Sequence, residues 1–184
     1  MTFSSMAFKA SSLFALWAAS VNAFPHVVLE EPAALAGQNY KAALRISHGC
    51  AGSPTTAVRV LIPPGLRGAR PMPKPGWSVT LRREKLASPY EQHGRPVSED
   101  VVEIRWTAAS RESWLDDAHV DEFVLRGTLP AQAGAMWFKV LQTCEQGQLD
   151  WSQLPASGNS TQGLKSPAAL LDILPAEPQA HHAH

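Results

Sequence analysis

The chain has 184 residues, and its 16 Lys and Arg balance its 16 Asp and Glu to a formal net charge of zero. This neutrality argues against nucleic-acid binding, which needs clustered Lys and Arg. Hydrophobic residues make up 45% of the chain, too many for a disordered protein, and two Cys are too few for a disulfide-rich scaffold or a Cys-based zinc cage. The length fits one domain with its own core.

Residues 1–23 are predicted to be a secretory signal peptide. Lys9 is their only charge, an apolar run follows it, and small side chains at Val21 and Ala23 suit a signal peptidase. The run is too short to span a bilayer, and no later stretch approaches about 20 apolar residues. We therefore expect export to the periplasm or beyond the cell, a mature chain from Phe24, and no transmembrane segment in it.

Short runs in which apolar and polar residues alternate dominate the mature chain. The clearest run, residues 40–46, places Tyr40, Ala42, Leu44 and Ile46 on one face. Similar runs cover residues 58–62, 77–81, 101–106, 122–126 and 137–141. A period of two with Pro- and Gly-containing turns between the runs is typical of half-buried strands. We predict one all-β domain, an antiparallel β-sandwich of immunoglobulin- or cupredoxin-like type, over residues 24–156.

The C-terminal segment, residues 157–184, loses this pattern and is predicted to be partly disordered. Its apolar run, residues 168–174, either docks as a final strand or stays loose. The chain then ends in a tail that contains His181, His182 and His184. Three imidazoles so close together bind copper or zinc loosely, so the tail is at most an accessory to a metal site.

The two cysteines, Cys50 and Cys144, are 94 positions apart. In an oxidising compartment they are the only intramolecular pair, and we expect a disulfide. Two free thiols or a thiolate metal site are the alternatives.

The first candidate functional residue is His26, near the mature amino terminus. An amino-terminal histidine chelates copper through its α-amine and its ring, and imidazole suits Cu(II). A single histidine is also a weak metal signal, and His26 fits equally as a polar residue at the start of the first strand.

An acidic cluster is the second candidate, made up of Asp116, Asp117, His119, Asp121 and Glu122. A run of charges usually forms a solvated loop. The carboxylates could also form an acid/base pair, but no nucleophile or oxyanion motif accompanies them. We therefore expect no catalytic residue, and the protein is predicted not to be an enzyme.

Tryptophans are the third candidate group. Trp77, Trp106 and Trp137 fall inside alternating runs and are expected in the core. Trp151 follows a turn at Gly147 and suits either the core or a rim.

Several segments together carry a resemblance to a known family. They are residues 26–30, 47–56, 71–77, 121–127 and 142–145. The most specific are the His-Gly-Cys-x-Gly-Ser-Pro-Thr motif that begins at His48 and the Pro-x-Pro-x-Pro-Gly-Trp motif that ends at Trp77. In this order and spacing the chain resembles the YcnI-like copper-binding domain of exported bacterial proteins, over roughly residues 26–155.

The resemblance implies a β-sandwich and a periplasmic role in copper trafficking or homeostasis, with a copper importer or another periplasmic copper carrier as partner. It also implies that Cu(II) is held by the amine and ring of an amino-terminal histidine, a carboxylate and a nearby tryptophan. By their positions in the motifs, these residues are His26, Glu122 and Trp151. Glu30 is the alternative carboxylate, and Trp137 is the alternative tryptophan.

One departure affects this site. The family's signal peptide usually ends directly before the histidine, whereas Phe24 and Pro25 precede His26 here. If the mature chain begins at Phe24, the α-amine is not on His26. In another mode of amino-terminal copper binding, with histidine third, deprotonated backbone amides are ligands. Pro25 has no N–H to lose, so this mode is impaired as well. Either an Xaa-Pro dipeptidase exposes His26, or His26 binds through its ring alone.

Two other functions remain open from the sequence. One is a structural or adhesive β-sandwich without a metal. The other is a copper-dependent oxidase with two brace histidines, for which His48 and His119 are the distant candidates.

Overall fold

The structure, a computed structural model, describes residues 26–92 and 94–176. The predicted signal peptide, Phe24, Pro25 and the tail histidines lie outside these described residues. The strands are β1 Val28–Leu29, β2 Ala33–Leu35, β3 Asn39–Ile46, β4 Thr55–Leu61, β5 Arg67–Pro71, β6 Trp77–Gln92, β7 Arg95–Ala108, β8 Asp121–Thr128, β9 Gly134–Cys144, β10 Gln148–Trp151 and β11 Ala169–Leu174. A 3-10 helix at Arg111–Ser113 is the only helix in the described ranges, and it lacks the length and hydropathy needed to cross a membrane.

The strands form two sheets that enclose one core. The smaller sheet has the order β1-β3-β8-β5, and the larger has the order β2-β11-β9-β4-β7-β6. Strand β10 pairs with β9 outside that order. Every pairing is antiparallel except the one between β11 and β2. The predicted all-β sandwich is therefore confirmed, with one parallel pairing added.

Alternation along the strands builds the core as predicted. In β3 the buried face carries Tyr40, Ala42, Leu44 and Ile46, the four residues that the pattern placed together. The larger sheet supplies the opposite wall with Val58, Val60, Ile104, Trp106, Phe138 and Val140. Each large apolar side chain that is removed from water in this way stabilises the folded state by about 1.5–3 kcal/mol.

The tryptophans do not all lie where the sequence predicts. Trp106 is fully buried, and Trp77 packs edge-on against Phe123 at 5.0 Å between ring centroids. Trp137 is only half-buried, so its assignment to the core is wrong. Its neighbours Met136 and Phe138 both point into the core, and alternation turns the side chain between them outward.

The C-terminal apolar run docks as a strand. In β11, Leu171 and Ile173 are buried, and the strand pairs with both β9 and β2. The sandwich therefore extends to Leu174, beyond the boundary predicted at residue 156.

The disulfide Cys50–Cys144 is present, with 5.9 Å between the two Cα atoms. It joins the loop after β3 to the last residue of β9. A bridge that closes 94 residues contributes about 4–5 kcal/mol in the chain-entropy model. It also fixes the loop of residues 47–54 at one end of the sandwich.

Strands β6 and β7 form a long hairpin that is anchored to β5 by one carboxylate. The Asp100 side chain accepts hydrogen bonds from the Gly68 N–H at 2.8 Å and the Tyr90 hydroxyl at 2.7 Å. Burial, and then the hydrogen bond to Asp100, raise the pKa of Tyr90 to about 12.

Candidate functional site

His26 lies directly before β1, at one end of the sandwich. Val27 and Leu29 are buried on either side of Val28, so the first described residues are anchored in the core. The His26 ring is half-buried and lies 5.8 Å from the Trp151 ring, between centroids, at 57°. His26 also lines a surface cavity of about 220 Å³ between β1 and β11. His26 therefore borders space that solvent can enter.

Trp151 belongs to the core and not to a rim, since only 3% of its surface is exposed. It ends β10, opposite Val140 of β9. The sequence left both locations open because hairpin residues alternate between faces. Its indole meets two histidine rings: His26, and His48 at 6.0 Å and 78°. Two of the three residues implied by the family resemblance, His26 and Trp151, are thus brought together.

Gln142 holds the polar edge of that indole. The residue is fully buried in β9, where its Oε1 accepts from Trp151 Nε1 at 3.0 Å. Its Nε2 donates to the His48 carbonyl at 2.7 Å and to Thr55 Oγ1 at 2.8 Å. Both amide protons are used, and the carbonyl oxygen accepts the indole N–H. A buried polar group needs such partners, so this network sets one position for Trp151.

The loop that carries His48 is held at three consecutive residues. Gln142 binds the His48 carbonyl, Asp117 Oδ1 accepts from the Gly49 N–H at 2.8 Å, and Cys50 is in the disulfide. A side chain at Gly49 would overlap the Ser53 carbonyl oxygen, so only glycine fits. The His-Gly-Cys motif therefore encodes a rigid loop. Sequence reasoning missed this role for Gln142 and Asp117, since neither residue stands in a metal-ligand pattern.

Glu122 lies two strands away from His26 on the smaller sheet. The register places Val28, Arg45 and Glu122 side by side across β1, β3 and β8. Directly opposed residues share a face, so Glu122 is on the outer face of this sheet. From strand spacing and rise, its Cα is about 12 Å from that of His26.

The Asp-Glu-Phe motif that contains Glu122 has a structural function of its own. Lys74 Nζ pairs with Asp121 Oδ2 at 2.5 Å and lies 4.9 Å from the Phe123 ring centroid. It also donates to the Glu122 carbonyl at 3.3 Å. Two motifs that carry the family resemblance thus bind each other, since Lys74 lies in the segment between β5 and β6 and Asp121 begins β8.

The remaining candidates are dispersed. Glu30 is exposed and pairs with Arg45 at 2.9 Å, and Trp137 is half-buried on the outer face of β9. Asp116 and His119 are exposed in a turn. Within residues 26–92 and 94–176, no three His, Cys, Asp or Glu side chains are grouped closely enough to hold a metal ion.

These features define a class of protein: an all-β, immunoglobulin-like sandwich with a histidine packed on a buried tryptophan beside a disulfide-anchored loop. A similar solved structure is the crystal structure of an uncharacterized protein from Nocardia farcinica that has an immunoglobulin-like fold. The two chains are 25% identical, with a TM-score of 0.61, and the alignment covers 80% of this chain and 97% of that one. A search of the curated proteins found no match.

The family model described as "Domain of unknown function (DUF1775)" matches residues 26–173. This match covers most of the chain, so the protein belongs to the DUF1775 family. The matched region begins at His26 and ends within β11.

Proposed function

We propose that this protein is an exported, YcnI-like copper-binding protein that takes up Cu(II) at His26 and serves copper trafficking or homeostasis without catalytic turnover. One observation carries the proposal: the His26 ring, beside the solvent cavity, packs against the buried Trp151. Its interaction partner would be a copper importer or another periplasmic copper carrier.

The donor set suits copper better than zinc or calcium. Imidazole nitrogen suits Cu(II), whereas a structural zinc site needs four protein ligands, and calcium needs a shell of oxygens. Since no three His, Cys, Asp or Glu side chains are clustered in the described residues, the proposed site requires that one histidine supplies two nitrogens. In that arrangement the His26 amine and ring bind the ion and Trp151 shields it. Glu122 is the carboxylate that the family resemblance adds, and it would have to reach the ion from β8, about 12 Å from His26 between Cα atoms.

The amine is available only if the mature chain begins at His26. We propose that a signal peptidase cuts after Ala23 and that a dipeptidase then removes Phe24 and Pro25. The intact mass of the exported protein tests this step, since a mass that begins at Phe24 rules out the amine as a ligand.

A Cu(II) titration tests the function itself. The mature chain is released from a fusion by a protease that leaves no extra residue, so that His26 is the amino terminus. We expect one Cu(II) per chain, strong binding that is lost in His26→Ala, and quenching of Trp fluorescence that is reduced in Trp151→Phe. Glu122→Gln should weaken binding.

His119→Ala is the matched control, because His119 is exposed in a turn and should leave the titration unchanged. Failure of the chain with His26 at its terminus to bind Cu(II) would refute the proposal. The structural or adhesive sandwich would then be the better description of the protein.

A further inference from the structure

We infer that the outer face of the smaller sheet docks a partner protein that presents acidic side chains. The starting observation is a row of three cations, Lys41 of β3, Arg126 of β8 and Arg70 of β5, which we call the basic row. The register opposes Arg126 directly to Lys41 on one side and to Arg70 on the other. All three residues are exposed. The inference is independent of the proposed copper binding.

The basic row points away from the core. The flanking residues Tyr40, Ala42 and Leu125 are buried. Alternation along β3 and β8 therefore turns Lys41 and Arg126 to the outer face, and the third cation faces the same way because directly opposed residues share a face. The three side chains form one positively charged line across three strands.

The fold leaves this charge uncompensated. Directly opposed side chains have Cβ atoms about 4.5–5.5 Å apart, and like charges so placed destabilise a sheet. Among residues 26–92 and 94–176, no carboxylate forms an ion pair with a member of the basic row. The formal net charge of zero therefore conceals a local concentration of positive charge. Carboxylates of a partner would relieve the repulsion and supply the missing counter-charge.

An apolar row lies next to the basic row. Met72 follows β5 and donates its N–H to the Val124 carbonyl at 2.8 Å, and Val124 is opposed to Ala43. Met72 is 43% exposed, which is unusual for a large apolar residue of this protein. Met and Arg are both enriched in protein interfaces. The surface therefore suits a partner that combines carboxylates with an apolar side chain.

The surrounding charges favour a protein over an anionic membrane. Glu30 and Glu122 lie on the same face, in other rows, and both are placed at Arg45: Glu30 pairs with it at 2.9 Å, and Glu122 is opposed to it in the register. A bilayer of anionic lipids presents one sign of charge and would repel these carboxylates, whereas a protein surface can match a basic row and a mixed row separately. Lys41 is also about 13 Å along β3 from the level of Arg45 and Val28, so a partner docked there leaves the end with His26 uncovered.

Fluorescence anisotropy on the full mature chain tests the inference, with a labelled peptide of repeating Glu-Glu-Leu as the probe. We expect the peptide to bind at low ionic strength and to be released as salt is added, because exposed ion pairs are screened. In the row variant, which combines Lys41→Gln, Arg70→Gln and Arg126→Gln, affinity should fall about tenfold, the combined effect of three exposed ion pairs. The row variant should melt no lower than the wild type, since neutral side chains remove the repulsion between the cations.

The matched control variant changes three exposed cations outside the smaller sheet, Lys85, Arg95 and Lys165, to glutamine. It removes the same charge and should keep the full affinity for the peptide. An equal loss in both variants would show that net charge alone attracts the peptide and would overturn the inference, as would a wild type that does not bind the peptide at all. Co-sedimentation of the wild type with phosphatidylglycerol vesicles that is lost in the row variant would overturn the choice of a protein over a membrane.

Discussion

Replacement of Gln142 by methionine should destabilise the protein, because the groups that now form hydrogen bonds with the Gln142 side chain would lose their partner. Methionine has nearly the same length and volume, so it fills the fully buried site in β9 without leaving a cavity. It can neither accept from Trp151 Nε1 nor donate to Thr55 Oγ1 and the His48 carbonyl. The variant therefore removes three hydrogen bonds while keeping the packing.

The expected loss of stability follows from the burial of the groups that lose their hydrogen-bond partner. Trp151 and Thr55 are 3% and 0% exposed, and each unsatisfied buried group costs about 1–3 kcal/mol. His48 is only half-buried as a residue, so we add no cost for its carbonyl. After an offset for the apolar methionine, we expect a loss of about 3 kcal/mol. That loss corresponds to a fall in Tm of about 6–12 °C for a chain of this size.

Urea denaturation measures this loss as a lower midpoint with an unchanged slope. Gln148→Met is the matched control, since Gln148 is exposed on the adjacent β10, and it should stay within about 0.5 kcal/mol of the wild type. A loss below about 1 kcal/mol for Gln142→Met would contradict the view that this amide network holds Trp151 in place.

Two further variants test other parts of the sandwich. In Gly76→Ala, the new Cβ would lie 2.9 Å from Ser113 Cβ at a φ of +75°, whereas at Gly147 (φ +81°) nothing lies within 4 Å. Urea denaturation should therefore show a loss of about 2–4 kcal/mol for Gly76→Ala but only about 1–2 kcal/mol for Gly147→Ala, and equal losses would contradict the predicted overlap. Asp100→Asn should lower the pKa of Tyr90 from about 12 towards 10. The phenolate absorbance of Tyr90 should then appear at lower pH, and its absence in Tyr90→Phe assigns the signal to this residue. The raised pKa of Tyr90 stabilises the folded wild type below pH 10, and this stabilisation is lost as the pH rises from 10 to 12. If Tyr90 titrates at the same pH in Asp100→Asn as in the wild type, the Asp100 carboxylate does not raise its pKa.

The sequence predicts the strands well because their alternation is a local property. Tyr40 to Ile46 shows this, since four buried residues recur at every second position, with Lys41, Ala43 and Arg45 between them and only Ala43 of these buried. It fails at Trp137 for a reason that is also local: the run 137–141 has apolar residues on both faces, so its pattern does not say which face is inside. It was also ambiguous at β11, because a short apolar run is stabilised as a strand only by its neighbours β9 and β2.

The site is less predictable because it combines residues far apart in the chain. Gln142 and His48 are 94 positions apart, yet their hydrogen bond positions both the loop and the indole. The sequence does contain one indication of where His48 lies, the predicted disulfide. If Cys50 is bonded to Cys144, His48 must lie within a few residues of the β9–β10 hairpin, whose second strand ends at Trp151. The disulfide prediction, taken one step further, would have placed His48 at the candidate site.

The two modes of copper binding at His26, with and without the α-amine, differ in how strongly they depend on processing at residues 24 and 25. The fold orients the His26 ring through Val27 and Leu29 wherever the mature chain begins, so the ring nitrogen is available in both forms. Only the α-amine depends on removal of Phe24 and Pro25. If the amine is the principal second donor, Cu(II) affinity should fall steeply in the chain that begins at Phe24, because Pro25 offers no amide to replace it. If His26 binds through its ring alone, the longer chain should keep most of its affinity. Comparison of the two chain lengths, each with and without His26→Ala, therefore separates a terminal chelate from a site that uses the ring alone.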